Sequence, residues 1–382
     1  MQQEFSLGDY FPPLEHRIAG RIISAAAYAS IKSFVDTLPG SVSALWGFEV
    51  PLHPEAGAAN GVADFLFCST QPERHSRVLA GQSKRSKVPA AYLEMPVWQK
   101  IQHFCQSWED ESHELHGQLH NTWLEFDVAT NSPPYQPSFF FGLLPPDATT
   151  AAKRRRVISA ALSELAPEIM TPVFVKALNK VMIRRDDSWV FQVGIMLARE
   201  TSALRLCLRD LADADEAVQL LVDLGWPGDV EQVRSLLLEL APLCESIDLD
   251  IDLETGPAPV LGAKLGIECS FGRSDKTMAY TDKFTRWLVN RDMLSADCAE
   301  ALVAYNGLVH QDANPQAWSS HLLKLAALSG PDMANQIACW VHHIKIVHQP
   351  DAPLSAKAYL AALTDRMSRQ VLRDAIAARA KH

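Results

Sequence analysis

The chain reads as an α+β protein. It contains about five helix–strand–strand (αββ) units whose roughly ten strands form an antiparallel barrel or a strongly curved sheet ringed by helices. Three observations predict this. Residues 247–254 alternate strictly, with Ile247, Leu249, Ile251 and Leu253 on one face and Asp248, Asp250, Asp252 and Glu254 on the other. A period of two belongs to a strand. After a break of Gly and Pro residues, 262–271 return as a partner strand. The same order of helical stretch, strand, Pro or Gly loop and strand then recurs along the chain, without residue identity between units.

Taken in order, residues 14–38 carry Ile18, Ile22, Ala26, Ala29 and Val35 near helical spacing, with Pro39 and Gly40 as a stop. Strands follow at 45–52 (LWGFEVPL) and 63–69 (ADFLFCS), joined by the loop HPEAGAANG. Residues 71–89, with KRSK at 84–87, read as a polar surface loop. A helix rich in Trp, His and Glu is expected over 96–119, then strands at 123–128 (WLEFDV) and 138–144 (SFFFGLL). The loop between them, NSPPYQP, cannot pair regularly because proline has no amide donor. A helical region at 151–181, broken near Pro167 and Pro172, precedes strands at 189–197 and 203–211. Helices at 215–224 and 229–240 lead into the alternating hairpin. Two more are expected at 280–290 and 296–308, while 318–328 fits helix or strand. Strands at 340–347 (WVHHIKIV) and 356–361 (AKAYLA) close the series, and 364–381 reads as a helix with Asp365 near its start.

Composition narrows the class. A chain of 382 residues with 48% hydrophobic and 21% charged residues is that of a globular protein, read here as one domain over 1–382 with a sub-boundary near 145–153. No apolar run is long enough for a transmembrane helix, and the first residues lack the basic segment and apolar core of a secretory leader. Seven scattered cysteines with no CxxC spacing read as reduced thiols of a cytoplasmic protein rather than a zinc site. A net charge of −10 argues against nucleic acid as a partner. No Walker A loop, GxGxxG after a strand or GxSxG is present, which excludes the usual P-loop, Rossmann and α/β-hydrolase signatures.

If helices cover the apolar strand faces, the polar faces meet solvent or the interior of a barrel. Closing ten strands removes the exposed sheet edges and leaves a chamber able to hold a ligand. Consecutive αββ units closing such a barrel resemble the ABBA-type prenyltransferases over most of the chain. The last hairpin, HIKIVHQPDAPLSAKAYL, is similar to that family's closing hairpin, with Lys345, Lys357 and Tyr359 where such barrels carry cations and a tyrosine. The resemblance implies a prenyltransferase of bacterial secondary metabolism. It would move an isoprenoid from its diphosphate to an aromatic or peptide acceptor, with no membrane partner.

In a lumen, alternation nominates Glu49, Glu125, Asp127, Arg205, Arg209, Asp248, Asp250, Asp252, Lys264, Glu268, Lys345, Lys357 and Tyr359. Arg205, Arg209, Lys264, Lys345 and Lys357, with Tyr359, are the candidates for holding a diphosphate, since a leaving group needs cations or a metal to take up charge. Glu49 and Glu125 are the candidate catalytic bases. The acidic ladder of Asp248, Asp250 and Asp252 is an awkward neighbour for a diphosphate. It can hold Mg²⁺, pair with Arg205 and Arg209 on an adjacent strand, or sit on a solvent rim, and residues two apart on a strand converge poorly on a metal. His113 and His116, with His103 and His120 nearby, read as a polar helix face. Arg154, Arg155 and Arg156 read as a solvated helix start or a contact for an acidic partner. The other reading of the whole chain is a non-catalytic binding protein for a peptide or metabolite.

Overall fold

A computed structural model describes residues 5–54, 61–133, 135–182, 189–199, 203–211, 213–256, 258–274 and 276–371. The strands are β1 (Leu45–Leu52), β2 (Asp64–Ser69), β3 (Leu119–Phe126), β4 (Ser138–Leu143), β5 (Trp189–Ile195), β6 (Ala203–Arg209), β7 (Ser246–Glu254), β8 (Leu261–Ser270), β9 (Gly307–His310), β10 (Met333–His348) and β11 (Ser355–Ser368). Each pairs antiparallel with its neighbour in the order β1 to β8, then β10 and β11, and β11 returns to β1. The result is a closed ten-stranded barrel. The short β9 pairs beside β10 over Gln336–Cys339, before β10 reaches β8 at His343.

The alternation has a physical reason. One face of each strand packs outward against the helices, and the other faces the lumen. Leu204, Leu206 and Leu208 are buried outward, while Arg205, Cys207 and Arg209 point the other way. Trp46, Phe48, Phe65 and Phe67 join Phe11 from the helix Phe11–Ile18, whose ring stacks on Trp46 at 5.0 Å. Burying an aromatic ring of this size contributes about 2–3 kcal/mol. The core is therefore a shell between barrel and helices, and the lumen is left free of it.

Helices start where side chains can satisfy orphan amides. Ser24, Thr150, Asp213, Asp229, Ser295 and Ser319 each accept a backbone N–H at an N-cap. Gly225 ends its helix in the left-handed region at φ 75°.

Several boundaries depart from the sequence reading. The first helical stretch splits into Phe11–Ile18 and Ala25–Val35 around Gly20, which turns at φ 68°. The loop at 71–89 contains the short helix His75–Leu79. The helix starting at Pro96 stops at Glu109, so His113 and His116 lie in turns and His120 lies in β3. The chain over 318–328 is helix Ser320–Ser329, set by its Ser319 cap. β9 falls where the end of a helix was expected. The last hairpin is much longer than read, and Thr364–Ser368 extend β11 instead of opening a helix, because they pair with Met333–Ile337. The remainder of that expected helix, beyond 371, lies outside the described residues, as does most of the HPEAGAANG loop.

All seven cysteines are free and buried. Among the described residues no helix is long and apolar enough to cross a membrane.

Candidate active site in the barrel lumen

The lumen holds a cavity of 360 Å³. Its walls differ. β3, β4 and β5 present Asn121, Trp123, Glu125, Phe140, Trp189, Phe191 and Gln192, whereas β6, β7, β8 and β10 present Arg209, Asp248, Asp250, Glu268, His343 and Lys345. Tyr359 of β11 closes the circle.

The second wall is an ion-pair lattice. Register sets Asp252 opposite Arg205, Asp248 opposite Glu268, and Glu268 opposite Lys345. Arg205 Nε and Asp252 Oδ1 are 2.9 Å apart, and Arg209 NH2 donates to Asp248 Oδ2 at 2.7 Å. Lys345 Nζ sits 2.6 Å from Asp250 Oδ2 and 2.8 Å from Glu268 Oε1. Burial alone would lower the Lys345 ammonium, but Asp250 and Glu268 reverse this and raise it well above its usual range. Glu268 is held below its usual value: burial opposes, and Lys345 outweighs it. Asp248 moves the other way, to about 6, because burial exceeds the pull of Arg209. The acidic ladder is thus lumenal and paired, and its partners include the Arg205 and Arg209 that the sequence offered. Arg209 also lies 3.8 Å over the Phe191 ring.

A second cluster lies toward the hairpin-turn end. Lys357 donates to Glu49 Oε1, and the Tyr359 hydroxyl donates to Glu49 Oε2 at 2.5 Å. Burial pushes the Glu49 carboxyl up, but Lys357, Lys345 and Tyr359 together bring it down to about 2. Tyr359 stacks on His343 at 4.1 Å and carries the Lys345 ammonium 5.1 Å from its ring centre. Arg199 donates from Nε to Asp127 Oδ2 at 2.7 Å. Lys264 is exposed on this rim, and its ammonium is lowered by partial burial and then by Arg205, Lys357 and Lys345.

Glu125 stands apart from both clusters. It lines the cavity, no hydrogen bond from a described residue contributes to its state, and burial followed by repulsion from Glu49 raises its carboxyl to about 7.

The structure therefore brings Glu125, Arg209, Lys345 and Tyr359 to the cavity wall. Glu49, Arg205, Lys357 and the exposed Lys264 are not among its lining residues. Sequence reasoning did not nominate Trp123, Phe140, Trp189, Phe191, Gln192, His342, His343 or Arg199. A bulge between Val341 and His343 lets two consecutive histidines reach the lumen, which strict alternation cannot anticipate. Arg154 is buried, donating to the Thr149 carbonyl and lying 5.5 Å from the Trp189 ring, so it is no solvated helix start. His113 pairs with Glu164 and His116 meets the Trp108 carbonyl. Among the described residues, no three His, Cys, Asp or Glu side chains converge to hold a metal ion.

No family model matches the chain, and no curated protein matches its sequence. Solved structures match its fold. The prenyltransferase PriB in its apo form is similar with a TM-score of 0.55 at 15% identity, over 96% of this chain and 97% of that chain. The 6-dimethylallyltryptophan synthase from Micromonospora olivasterospora, in complex with DMASPP and Trp, gives 0.54 at 12% identity over 93% and 97%. The 5-dimethylallyltryptophan synthase from Streptomyces coelicolor gives 0.51 at 14% identity over 94% and 98%. The barrel has the ABBA prenyltransferase architecture.

Proposed function

We propose that the chain transfers an isoprenoid from its diphosphate to an aromatic acceptor, with Glu125 as the base. The observation that carries this reading is the Glu125 carboxyl, which lines an aromatic-walled cavity without a hydrogen bond from the described residues and is raised by burial to about 7. A base works best when its pKa lies near the working pH. Glu49 is a fixed anion by comparison, pinned by Lys357 and Tyr359, and we assign it to orienting those two groups.

In this reading the diphosphate docks at the hairpin-turn end, near Lys264, Lys357, Arg205 and Lys345, with Arg209 deeper. The isoprenyl chain passes Tyr359 into the cavity. The donor C–O bond breaks, the electron pair leaves with diphosphate, and the allylic carbon becomes cationic. A ring carbon of the acceptor attacks it to form the new C–C bond, and the proton lost from that carbon passes to Glu125. The faces of Trp123 and Tyr359 stabilise the cation through their ring quadrupoles. Most cations in this set already hold carboxylates, so the diphosphate shares them; protein cations serve in place of Mg²⁺. Two similar structures support the substrate class: PriB was solved with L-tryptophan and dimethylallyl thiolodiphosphate, and the Micromonospora enzyme with DMASPP and Trp. We also read residues 1–382 as one folding unit, because the barrel closes through β1 and β11, and we place it in bacterial secondary metabolism; a peptide-borne aromatic is the other acceptor form.

The test is incubation with dimethylallyl, geranyl and farnesyl diphosphates and an indole acceptor, with and without Mg²⁺, read by mass spectrometry and by thermal shift. We expect a prenylated product with at least one donor and stabilisation by that donor without Mg²⁺. Binding of acceptor with no product from any donor leaves a non-catalytic binding protein instead.

A further inference from the structure

We infer that the chamber selects an acceptor carrying a positive charge, an aromatic amine without a free carboxylate. This rests on the prenyl-transfer reading only in taking the chamber as the acceptor site.

The first observation is charge. Among the residues lining the cavity, the fixed cations are Arg209 and Lys345, and the carboxyl groups are Glu125, Asp248, Asp250 and Glu268. Both cations are committed, Arg209 to Asp248 and Lys345 to Asp250 and Glu268. One carboxylate more than Lys345 can neutralise, together with Glu125, is left facing the ligand. A ligand carboxylate brought here meets like charge, and among the described lining residues both cations already hold carboxylates that it would have to displace or share; in a partly desolvated site the repulsion is strong.

The second observation is hydrogen-bonding capacity. Asp250 is 3% exposed and is met by Lys345, the Cys207 thiol and the Glu268 carboxyl, whereas Asn121 Oδ1 is buried at the cavity without a hydrogen-bond partner among the described residues. A buried acceptor without a donor is costly, and a ligand ammonium with three N–H groups supplies what Asn121 lacks. The faces of Trp123, Phe140 and Trp189 offer stacking surface beside it. The cavity volume of 360 Å³ accommodates a bicyclic ring with a short amine arm. His120, His342 and His343 also line the chamber, and burial holds His342 and His343 toward their neutral forms.

The test is calorimetric titration of the full chain at pH 8 with tryptamine, L-tryptophan and indole-3-propanoate and no donor. Tryptamine is expected to bind at least tenfold tighter than L-tryptophan, and the propanoate most weakly. Asp250→Asn and Glu268→Gln should each reduce the tryptamine advantage fivefold or more while leaving the affinity for neutral 3-methylindole unchanged, which controls for folding. Equal or tighter binding of the carboxylates, no binding of tryptamine, or an advantage untouched by both variants overturns the inference. Turnover separates the two claims. Product from L-tryptophan but not tryptamine overturns selection for the amine and keeps prenyl transfer. Tight tryptamine binding without product from any donor keeps the selection and removes the transfer.

Discussion

The two walls of the lumen share one architecture and do opposite things with charge. On the β6–β10 wall, acids and bases pair across the strands, and the Lys345–Glu268 contact shifts both partners further into their charged forms: Lys345 is raised and Glu268 lowered. On the β3–β5 wall a single carboxyl, Glu125, faces aromatic rings and is driven toward its neutral form, near 7. The lesson is that burial does not set a carboxyl's state by itself. Glu268 and Glu125 are both lumenal, but Lys345 2.8 Å away holds the first below its usual value, while burial raises the second. A wall of pairs gives geometry; a lone acid gives chemistry.

The comparison can be broken by removing its strongest member. Lys345→Met strands Asp250 and Glu268 without their cation, and we expect a loss of about 3–5 kcal/mol of stability, measured by urea unfolding. Replacing both acids by Asn and Gln in the same chain should recover most of it. A loss below about 1 kcal/mol would mean that Lys345 does not hold the wall.

On the opposite wall, Glu125→Gln should lower turnover by about a hundredfold or more while leaving the unfolding midpoint unchanged or slightly raised. Full turnover in this variant would remove Glu125 from the chemistry.

The pH dependence sharpens the contrast. Glu125 is raised to about 7 and Asp248 and Asp64 to about 6, so their contributions are full below the unfolded carboxyl pKa near 4 and are lost as pH rises through 6 and 7. Glu49, lowered to about 2, contributes above pH 4 to 5 and loses this as pH falls toward 2. Urea midpoints taken from pH 3 to 8 should show both limbs, and Glu125→Gln should flatten only the upper one.

The smallest effect belongs to the rim. Lys264→Ala should change stability by less than about 0.5 kcal/mol. The donor half-saturation should rise a few-fold in low salt and less in high salt, since an exposed charge is screened.

Much of the barrel was legible because hairpins are local. The alternation of Ile247, Leu249, Ile251 and Leu253 against three aspartates names both faces of β7, and the same reading finds Arg205 and Arg209 on β6. What it cannot supply is which strand closes on which. Lys345 meets Asp250 only because β10, beyond the stretch that pairs with β9, pairs with β8, a non-local choice with no signature in either segment. Glu49 and Lys357 are a long way apart in sequence and meet for the same reason at the β1–β11 seam. The aromatic lining was missed because Phe140 sits in an unbroken apolar run, where alternation has no contrast to show. The length of β10 was missed because MANQIACW lacks polar alternation, and its partner Thr364–Ser368 looked helical by composition.

The seam between β1 and β11 also has a consequence for synthesis. Leu45 leaves the ribosome long before its partner Leu363. At roughly 5–20 residues per second, β1 waits tens of seconds with one edge unpaired. That edge runs through Trp46, Phe48 and Val50, so the nascent chain exposes a sticky strand for most of its elongation. The helices Phe11–Ile18 and Ala25–Val35 emerge before it and can cover its apolar face, but not its backbone. Expression at lower temperature or with a holdase chaperone should therefore raise the soluble yield of this barrel more than that of a protein whose strands pair in order of birth.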